Sequence, residues 1–325
     1  MDKCPSVSVI IPVYNGEKYL ETIITSLARQ TDNDFEAIII NDGSADGTEQ
    51  ALKRLQSRKH PFALRVINKE NEGVSCTRNL GIREARGKRI CFCDVDDAIS
   101  PRYIELLSKA LDDSGCRFAL GYSIGEPDEL YDGADPDLKV FEKEDFLREF
   151  LYHGNKYHHC CGMYDRSVFE GDMFYREGYR YSEDVHLLWR IIASSDSVAV
   201  VRRPLYCYIR NEGSAMHKKM TVDRMDAVNL MRDLEEYMDK NAPGFAEEFR
   251  KYAVARHHWS ILWQAVGCFG TYREFIAYAS EFDMRDELTK LKSYPGKREA
   301  LSSRLFCFSP RIYYFLMRMY LKLFR

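Results

Sequence analysis

Short apolar runs and amphipathic stretches alternate through the first hundred residues. Residues 6–11 and 35–40 are mostly apolar and rich in β-branched side chains, as strands covered on both faces are. Between them, residues 17–29 carry Leu20, Ile23, Ile24 and Leu27 at helical spacing. The same reading predicts helices over 46–57 and 74–85 and strands over 63–67 and 89–93. This β-α-β-α-β-α-β order implies a mostly parallel sheet with right-handed crossovers. Such sheets bind ligands at the carboxyl ends of their strands. Three polar clusters fall there: Tyr14-Asn15, Asn41-Asp42 and Asp94-Val95-Asp96-Asp97.

Past Asp97 the pattern changes. Helices are predicted over 101–111, 141–152 and 185–193, and strands over 118–124, 160–164 and 198–201. Residues 126–139, rich in Asp, Gly and Pro, predict a surface loop. Ser182 stands where it can cap the 185–193 helix, with Glu183 and Asp184 in a first turn that favours acids. From residue 221 the pattern is helical almost to the end. The expected organisation is an α/β domain over 1–217, with a central sheet flanked by helices, and a C-terminal helical region over 218–325.

The 325 residues, 45% hydrophobic and 30% charged, suffice for a large domain plus a smaller one. A net charge of −3 gives no general attraction to nucleic acid, and none is expected as a partner. Ten cysteines without paired spacing read as small buried apolar residues in a reducing cytoplasm. His158-His159-Cys160-Cys161 invites a zinc reading but lacks a second ligand pair at a usable spacing. No secretory leader is visible, and no apolar run of about 18 residues predicts a membrane span.

The acids carry the chemistry. Asp94, Asp96 and Asp97 follow an apolar strand, and carboxylates gathered there need a compensating cation. On a continuing strand Asp94 and Asp96 share a face, which suits one hard divalent ion, Mg²⁺ or Mn²⁺, with room for phosphate oxygens. Asp42 can accept from an imide N–H of a base or close an Asx turn with Gly43 and Ser44. Arg78 can stack on a base, meet a phosphate or lie on the surface. Glu183-Asp184 offers a base for an acceptor hydroxyl or a plain helix-start charge. No Gly-x-Gly-x-x-Gly, P-loop or Gly-x-Ser-x-Gly is present, so dinucleotide, P-loop and hydrolase-elbow sites are unsupported.

The runs Val7-Ser8-Val9-Ile10-Ile11-Pro12-Val13-Tyr14-Asn15, Ile40-Asn41-Asp42-Gly43-Ser44, Asn71-Glu72-Gly73-Val74-Ser75-Cys76-Thr77-Arg78-Asn79, Phe92-Cys93-Asp94-Val95-Asp96-Asp97, Ser182-Glu183-Asp184 and Tyr206-Cys207-Tyr208-Ile209-Arg210 occur in one order. Together, over roughly residues 6 to 215, they resemble the family 2 glycosyltransferases of GT-A fold that build bacterial surface polysaccharides. The resemblance implies an inverting displacement with a divalent metal, Mn²⁺ or Mg²⁺. The donor it implies is a nucleotide-diphosphosugar, a UDP-sugar foremost. The acceptor it implies is a glycan or a polyprenyl-linked molecule. It puts Pro12 and Tyr14 at the base pocket, Asp42 on the base and Arg78 near the nucleotide. Asn15, Glu17 and Val95 join that donor-binding set. Asp94 lies near the ribose and metal, Asp96 is the main metal ligand, and Asp97 shapes the donor-sugar side. Asp184 is the base with Glu183 beside it, and His217 is a candidate late metal ligand. No Gln-x-x-Arg-Trp follows Asp184, which points to a non-processive enzyme.

Residues 310–324 mix Ile, Tyr, Phe, Leu and Met with Arg and Lys. Such basic amphipathic helices lie on anionic membranes. The expectation is a cytoplasmic protein, peripheral at the inner membrane face, with packing on its own domain or a homodimer contact as the alternatives. Two other functions compete: a sugar-1-phosphate nucleotidylyltransferase, which would carry a basic Gly-rich loop after the first strand, and a catalytically silent sugar-nucleotide scaffold.

Overall fold

The computed structural model of the chain describes residues 4–209 and 225–323. These fall into two compact units. In the first, β1 (Val7–Val13), β2 (Phe35–Asp42), β3 (Ala63–Lys69) and β4 (Arg89–Phe92) are linked through α1 (Leu20–Ala28), α2 (Thr48–Gln56) and α3 (Val74–Glu84). β5 (Ala98–Ile99), α4 (Tyr103–Ser114), β6 (Phe118–Ile124), β7 (Leu138–Glu142), α5 (Lys143–His153), β8 (Gly162–Asp165), α6 (Glu183–Ala193) and β9 (Ser197–Cys207) follow.

The sheet runs β3-β2-β1-β4-β8-β6-β9-β5, with β7 added on β9. The parallel half expected from the alternation is β3-β2-β1-β4. Beyond β4 the sheet is mixed, because β8 runs antiparallel to both β4 and β6. β1 lies between β2 and β4, so the strand order reverses there, and the crevice beyond the ends of β1 and β4 is the topological switch point. Every residue of β1 and β2 is buried, as their apolar sequences require. Gly81 of α3 lets the helix lie against the sheet, since a Cβ there would stand 2.3 Å from Ile10 Cγ2.

Four local expectations are corrected. The 141–152 helix begins only at Lys143, because Leu138–Glu142 pairs antiparallel with β9 as β7. The 160–164 strand begins at Gly162, after a 3₁₀ turn over His159–Cys161. The 198–201 strand continues to Cys207, carrying Pro204 at a register shift against Tyr122. The 89–93 strand stops at Phe92, so the acids after it lie in a turn rather than on a continuing strand.

The second unit is built from α7 (Asp226–Asn241), α8 (Pro243–Cys268), α9 (Tyr272–Glu281), α10 (Met284–Lys290), α11 (Lys297–Phe308) and α12 (Pro310–Leu323). It also takes Leu147–Tyr152 from α5, where Arg148 Nε donates to Glu248 and Tyr294 OH donates to the Leu151 carbonyl. Phe245, Phe249, Leu262, Phe275, Leu288 and Tyr313 form its core. Trp259 and Trp263 are half-buried rather than central, with Arg298 over both rings. The expected boundary at 217/218 falls outside the described residues. No helix among the described residues is long and apolar enough to cross a membrane.

Candidate active site

The polar clusters meet at the switch point of the first unit. Where β1 ends, Asn15 takes a left-handed conformation (φ 50°), which Asn tolerates. Its Oδ1 accepts from Ala45 N (2.8 Å), and its own N–H donates to Ser44 Oγ (2.9 Å). The exits of β1 and β2 are thereby tied together. Glu17 N donates to Asp46, and the Glu17 carboxylate stands 3.8 Å from Arg54 at the surface. Gly16 has no room for a side chain: a Cβ would stand 2.5 Å from Val13 Cγ2 and 3.2 Å from Val95 Cγ1. Val95 therefore seats the acidic turn under the β1 loop. Pro12 is buried inside β1, and Tyr14 at its end is 55% exposed.

Asp42, at the end of β2, is buried. Its Oδ1 accepts from Lys69 Nζ (2.7 Å) and Glu72 N (3.0 Å), and Oδ2 accepts from Gly73 N (2.9 Å). Burial opposes its ionisation, but the Lys69 bond and the two amides outweigh that and hold its carboxyl below the usual value. Asp42 thus orders the loop leading into α3 and keeps one Oδ2 lone pair for a further donor. The Asp42 carboxylate is taken up by these donors rather than by an Asx turn, and Asn41 Oδ1 accepts from Ser44 N.

The Asp94–Asp97 turn is closed by Asp97 N donating to the Asp94 carbonyl (3.2 Å). Asp94 and Asp96 are half-buried at its surface. Asp97 points inward instead, so any part it has in shaping the donor-sugar side is through the turn it anchors. Its carboxyl accepts from Tyr206 OH (2.5 Å) and Ile209 N (2.9 Å), and burial with Asp94 nearby pushes it up to about 7. It anchors the turn to β9, and Tyr206 OH also accepts from Asp94 N.

Arg78, on α3, is neither a surface arginine nor open for stacking on a base. It is buried, with one terminal nitrogen 2.8 Å from Asp94 Oδ1 and the other 3.0 Å from Glu183 Oε1. One planar fork therefore joins the acidic turn to the start of α6, which a lysine cannot do. Burial works against the Asp94 charge, but Arg78 holds that carboxyl below the usual range. Glu183 is pushed up by burial and by Asp184 beside it.

Asp184 meets two residues far away in sequence. Its Oδ2 lies 3.0 Å from His158 Nε2 and 3.4 Å from His159 Nδ1. Despite burial, these bonds hold its carboxyl well below the usual range. Ser182, the expected cap, adopts φ 65° immediately before α6. Sequence reasoning passed over His158 and His159 because their run suggested only a metal. Nothing in spacing links them to an acid 25 or more positions later. Lys69 and Tyr206 were likewise unassigned. Donor atoms of His158, His159 and Cys160 do lie within 4.8 Å of one another, but internal hydrogen bonds already engage them. His217 lies outside the described residues.

A parallel half-sheet with acids gathered at its switch point, continued by an antiparallel edge, is the GT-A arrangement. The S. aureus protein TarS, residues 1–349 in complex with UDP-GlcNAc, shares it at a TM-score of 0.67 and 17% identity, over 98% of this chain and 93% of that one. The mannosyltransferase PcManGT from Pyrobaculum calidifontis, in complex with GDP-Man and Mn²⁺, matches at 0.57 and 17% identity, over 98% and 86%. The Glycosyl transferase family 2 profile matches residues 8–171. Two glycosyltransferases of Bacillus subtilis (strain 168) are each 31% identical to this chain: EpsJ, uncharacterized, over 91% of this chain and 86% of its own length, and EpsH over 63% and 60%. The chain belongs to glycosyl transferase family 2 and is a glycosyltransferase.

Proposed function

We propose that this glycosyltransferase moves a sugar from a UDP-sugar, with inversion, to a hydroxyl of a glycan or lipid-linked acceptor in cell-surface polysaccharide synthesis. The observation that carries the reading is the Arg78 fork, which holds Asp94 and Glu183 in one buried cluster beside Asp184. Asp42, with its remaining lone pair, accepts from the base N–H. Tyr14, exposed at the end of β1, flanks the base. The bound UDP-GlcNAc of TarS and the Mn²⁺ of PcManGT lend support by analogy.

The residues fit a hard divalent ion. Asp94 is held ionised with its Oδ1 on Arg78, and Asp96 lies in the same turn, two residues on. Asp96 is the principal ligand for Mn²⁺ or Mg²⁺, with Asp94 next to it. When bound, the ion supplies charge neutralisation for the departing diphosphate. The acceptor oxygen attacks the anomeric carbon, the bond to the diphosphate breaks, and the acceptor proton passes to Asp184 Oδ1. A carboxylate with so low a pKa is a weak base, but it is always ionised. That suits a late proton transfer, from a hydroxyl made acidic by its forming bond to the sugar.

Hydrolysis of UDP-sugars, with water as acceptor, tests this. Mn²⁺-dependent release of UDP is expected from at least one UDP-hexose or UDP-N-acetylhexosamine. Asp96→Ala should abolish it, and Asp184→Asn should cut it by about 10²–10⁴-fold. Full activity in Asp184→Asn would refute the base, and no UDP-sugar turnover under any divalent ion would refute the reading.

The membrane-facing part of the proposal rests on α12. Tyr313 and Tyr314 turn inward, while Ile312, Phe315, Leu316, Met319 and Leu323 form one exposed stripe, each at least 41% exposed. Arg304, Arg311, Arg318 and Lys322 lie on α11 and α12, and no acid follows Glu299. An apolar stripe in so basic a segment matches an anionic lipid surface. This supports a location at the inner face of the cytoplasmic membrane. Phe315→Glu with Met319→Glu should abolish sedimentation with phosphatidylglycerol vesicles. Unchanged sedimentation, or self-association without vesicle binding, would overturn the assignment.

A further inference from the structure

The Asp184 carboxylate is held by an ordered set of donors that the catalytic reading does not require. His158 Nδ1 faces the backbone N–H of Cys160 at 3.4 Å and accepts from it. The ring proton of neutral His158 is therefore on Nε2, the atom 3.0 Å from Asp184 Oδ2. His159 is arranged the other way round. Its Nε2 lies 3.1 Å from Cys160 Sγ and its Nδ1 lies 3.4 Å from the same Asp184 oxygen. Burial keeps the Cys160 thiol protonated and holds His159 neutral, at about 4. The thiol S–H donates to His159 Nε2, and His159 Nδ1–H donates to Asp184. Residue 160 thus sets both tautomers, one through its amide and the other through its sulfur. The His158 ring also stacks on Tyr206, the residue that anchors the acidic turn.

We propose that His158 and His159 are positioning residues for Asp184. Burial works against a charge on His158, but the Asp184 carboxylate raises that pKa; in its neutral form the ring has the tautomer opposite to that of His159, and the two rings together occupy Oδ2 and leave Oδ1 alone to meet the acceptor hydroxyl. Which oxygen takes the proton is then settled before substrate arrives. The inference deepens the base assignment made above and rests on it for its kinetic consequence. The titratable and charged groups around Asp184 are His158, His159, Glu183, Tyr164 and Tyr175, with Cys160 reached through His159 and Arg78 through Glu183.

The opposite tautomers give each histidine its own rescue. The Gln side-chain amide reaches as Nε2 does, and the Asn amide reaches as Nδ1 does. His158→Phe should lower kcat for UDP-sugar hydrolysis by about tenfold or more, as loss of an outer orienting partner does, with KM unchanged. His158→Gln should recover most of it and His158→Asn should not. At position 159 the order reverses, with Asn rescuing and Gln failing. Removing a donor also raises the Asp184 pKa, so the acid limb of kcat moves to higher pH in His158→Phe. A second readout needs no substrate: ring-nitrogen NMR of the labelled protein, assigned by loss of signals in the two rescue variants. It should show His158 as the Nε2–H tautomer and His159 as the Nδ1–H tautomer. Both rings in one tautomer, or equal rescue by Asn and Gln at both positions, overturns the proposal. The expected tautomers in a protein without UDP-sugar turnover would count against the glycosyltransfer reading alone.

Discussion

Asp42, buried, and Asp184, half-buried, are both held ionised, and they are held by opposite means. Asp42 is fixed by its own neighbourhood in the chain: Lys69 at the end of the adjacent strand and two backbone amides of the next loop. Asp184 is fixed by two imidazoles from a turn that precedes it by 25 residues, and its neighbour Glu183 is fixed by an arginine from α3. The first device belongs to the parallel half-sheet, where β-strand ends fall side by side in sequence order. The second exists only because the mixed half of the sheet brings β8 back against β4. The acid proposed to meet the nucleotide can thus be built from local parts, whereas the proposed base depends on the mixed half of the sheet.

The largest effect expected from that difference is at Arg78. Arg78→Ala leaves buried Glu183 and half-buried Asp94 without their shared cation, which should cost about 3–5 kcal/mol in urea unfolding. Arg78→Lys restores a charge but not the fork, so it should recover only part of the loss. An Arg78→Ala protein as stable as the parent would show that the two acidic segments are held together by something else.

A smaller loss is expected at Asp42. Lys69→Met should destabilise by about 1–2 kcal/mol at pH 7 through loss of a charged hydrogen bond. The sign with pH follows from the lowered carboxyl pKa. The stabilisation is fully present above the ordinary value of 3.8 and is lost as pH falls through the folded value. The gap between Lys69→Met and the parent should therefore narrow as the pH is taken well below 3.8. A gap independent of pH would mean that Lys69 acts by packing alone.

The same contrast explains what could be read from the chain. The β1–β4 strands and α1–α3 were legible because their apolar periods are unmixed, and the polar ends of those strands marked the switch point directly. Asp42, Asp94 and Asp96 were found by that route. The inward turn of Asp97 was not, because its partners, Tyr206 of β9 and Ile209 just past its end, arrive more than 100 residues on. Arg78 was found but misread, since a sequence shows no guanidinium between two acids. β7 was split between a predicted loop over 126–139 and the start of a predicted helix at 141, and only its pairing with β9 reveals it. His158 and His159 suggested only a zinc reading that lacked a second ligand pair, and went unassigned for the same reason: their partner is defined by topology.

The account stands or falls on whether the acids after β4 hold a cation against a diphosphate. Calorimetric titration of UDP into the protein, with Mn²⁺ or with EDTA, tests this most directly. Binding should be at least about tenfold tighter with Mn²⁺, a difference of about 1.4 kcal/mol. The advantage should vanish in Asp96→Ala and persist in Asp184→Asn. Equal UDP affinity in Mn²⁺ and EDTA, or an Asp96→Ala protein that keeps the full advantage, would contradict it.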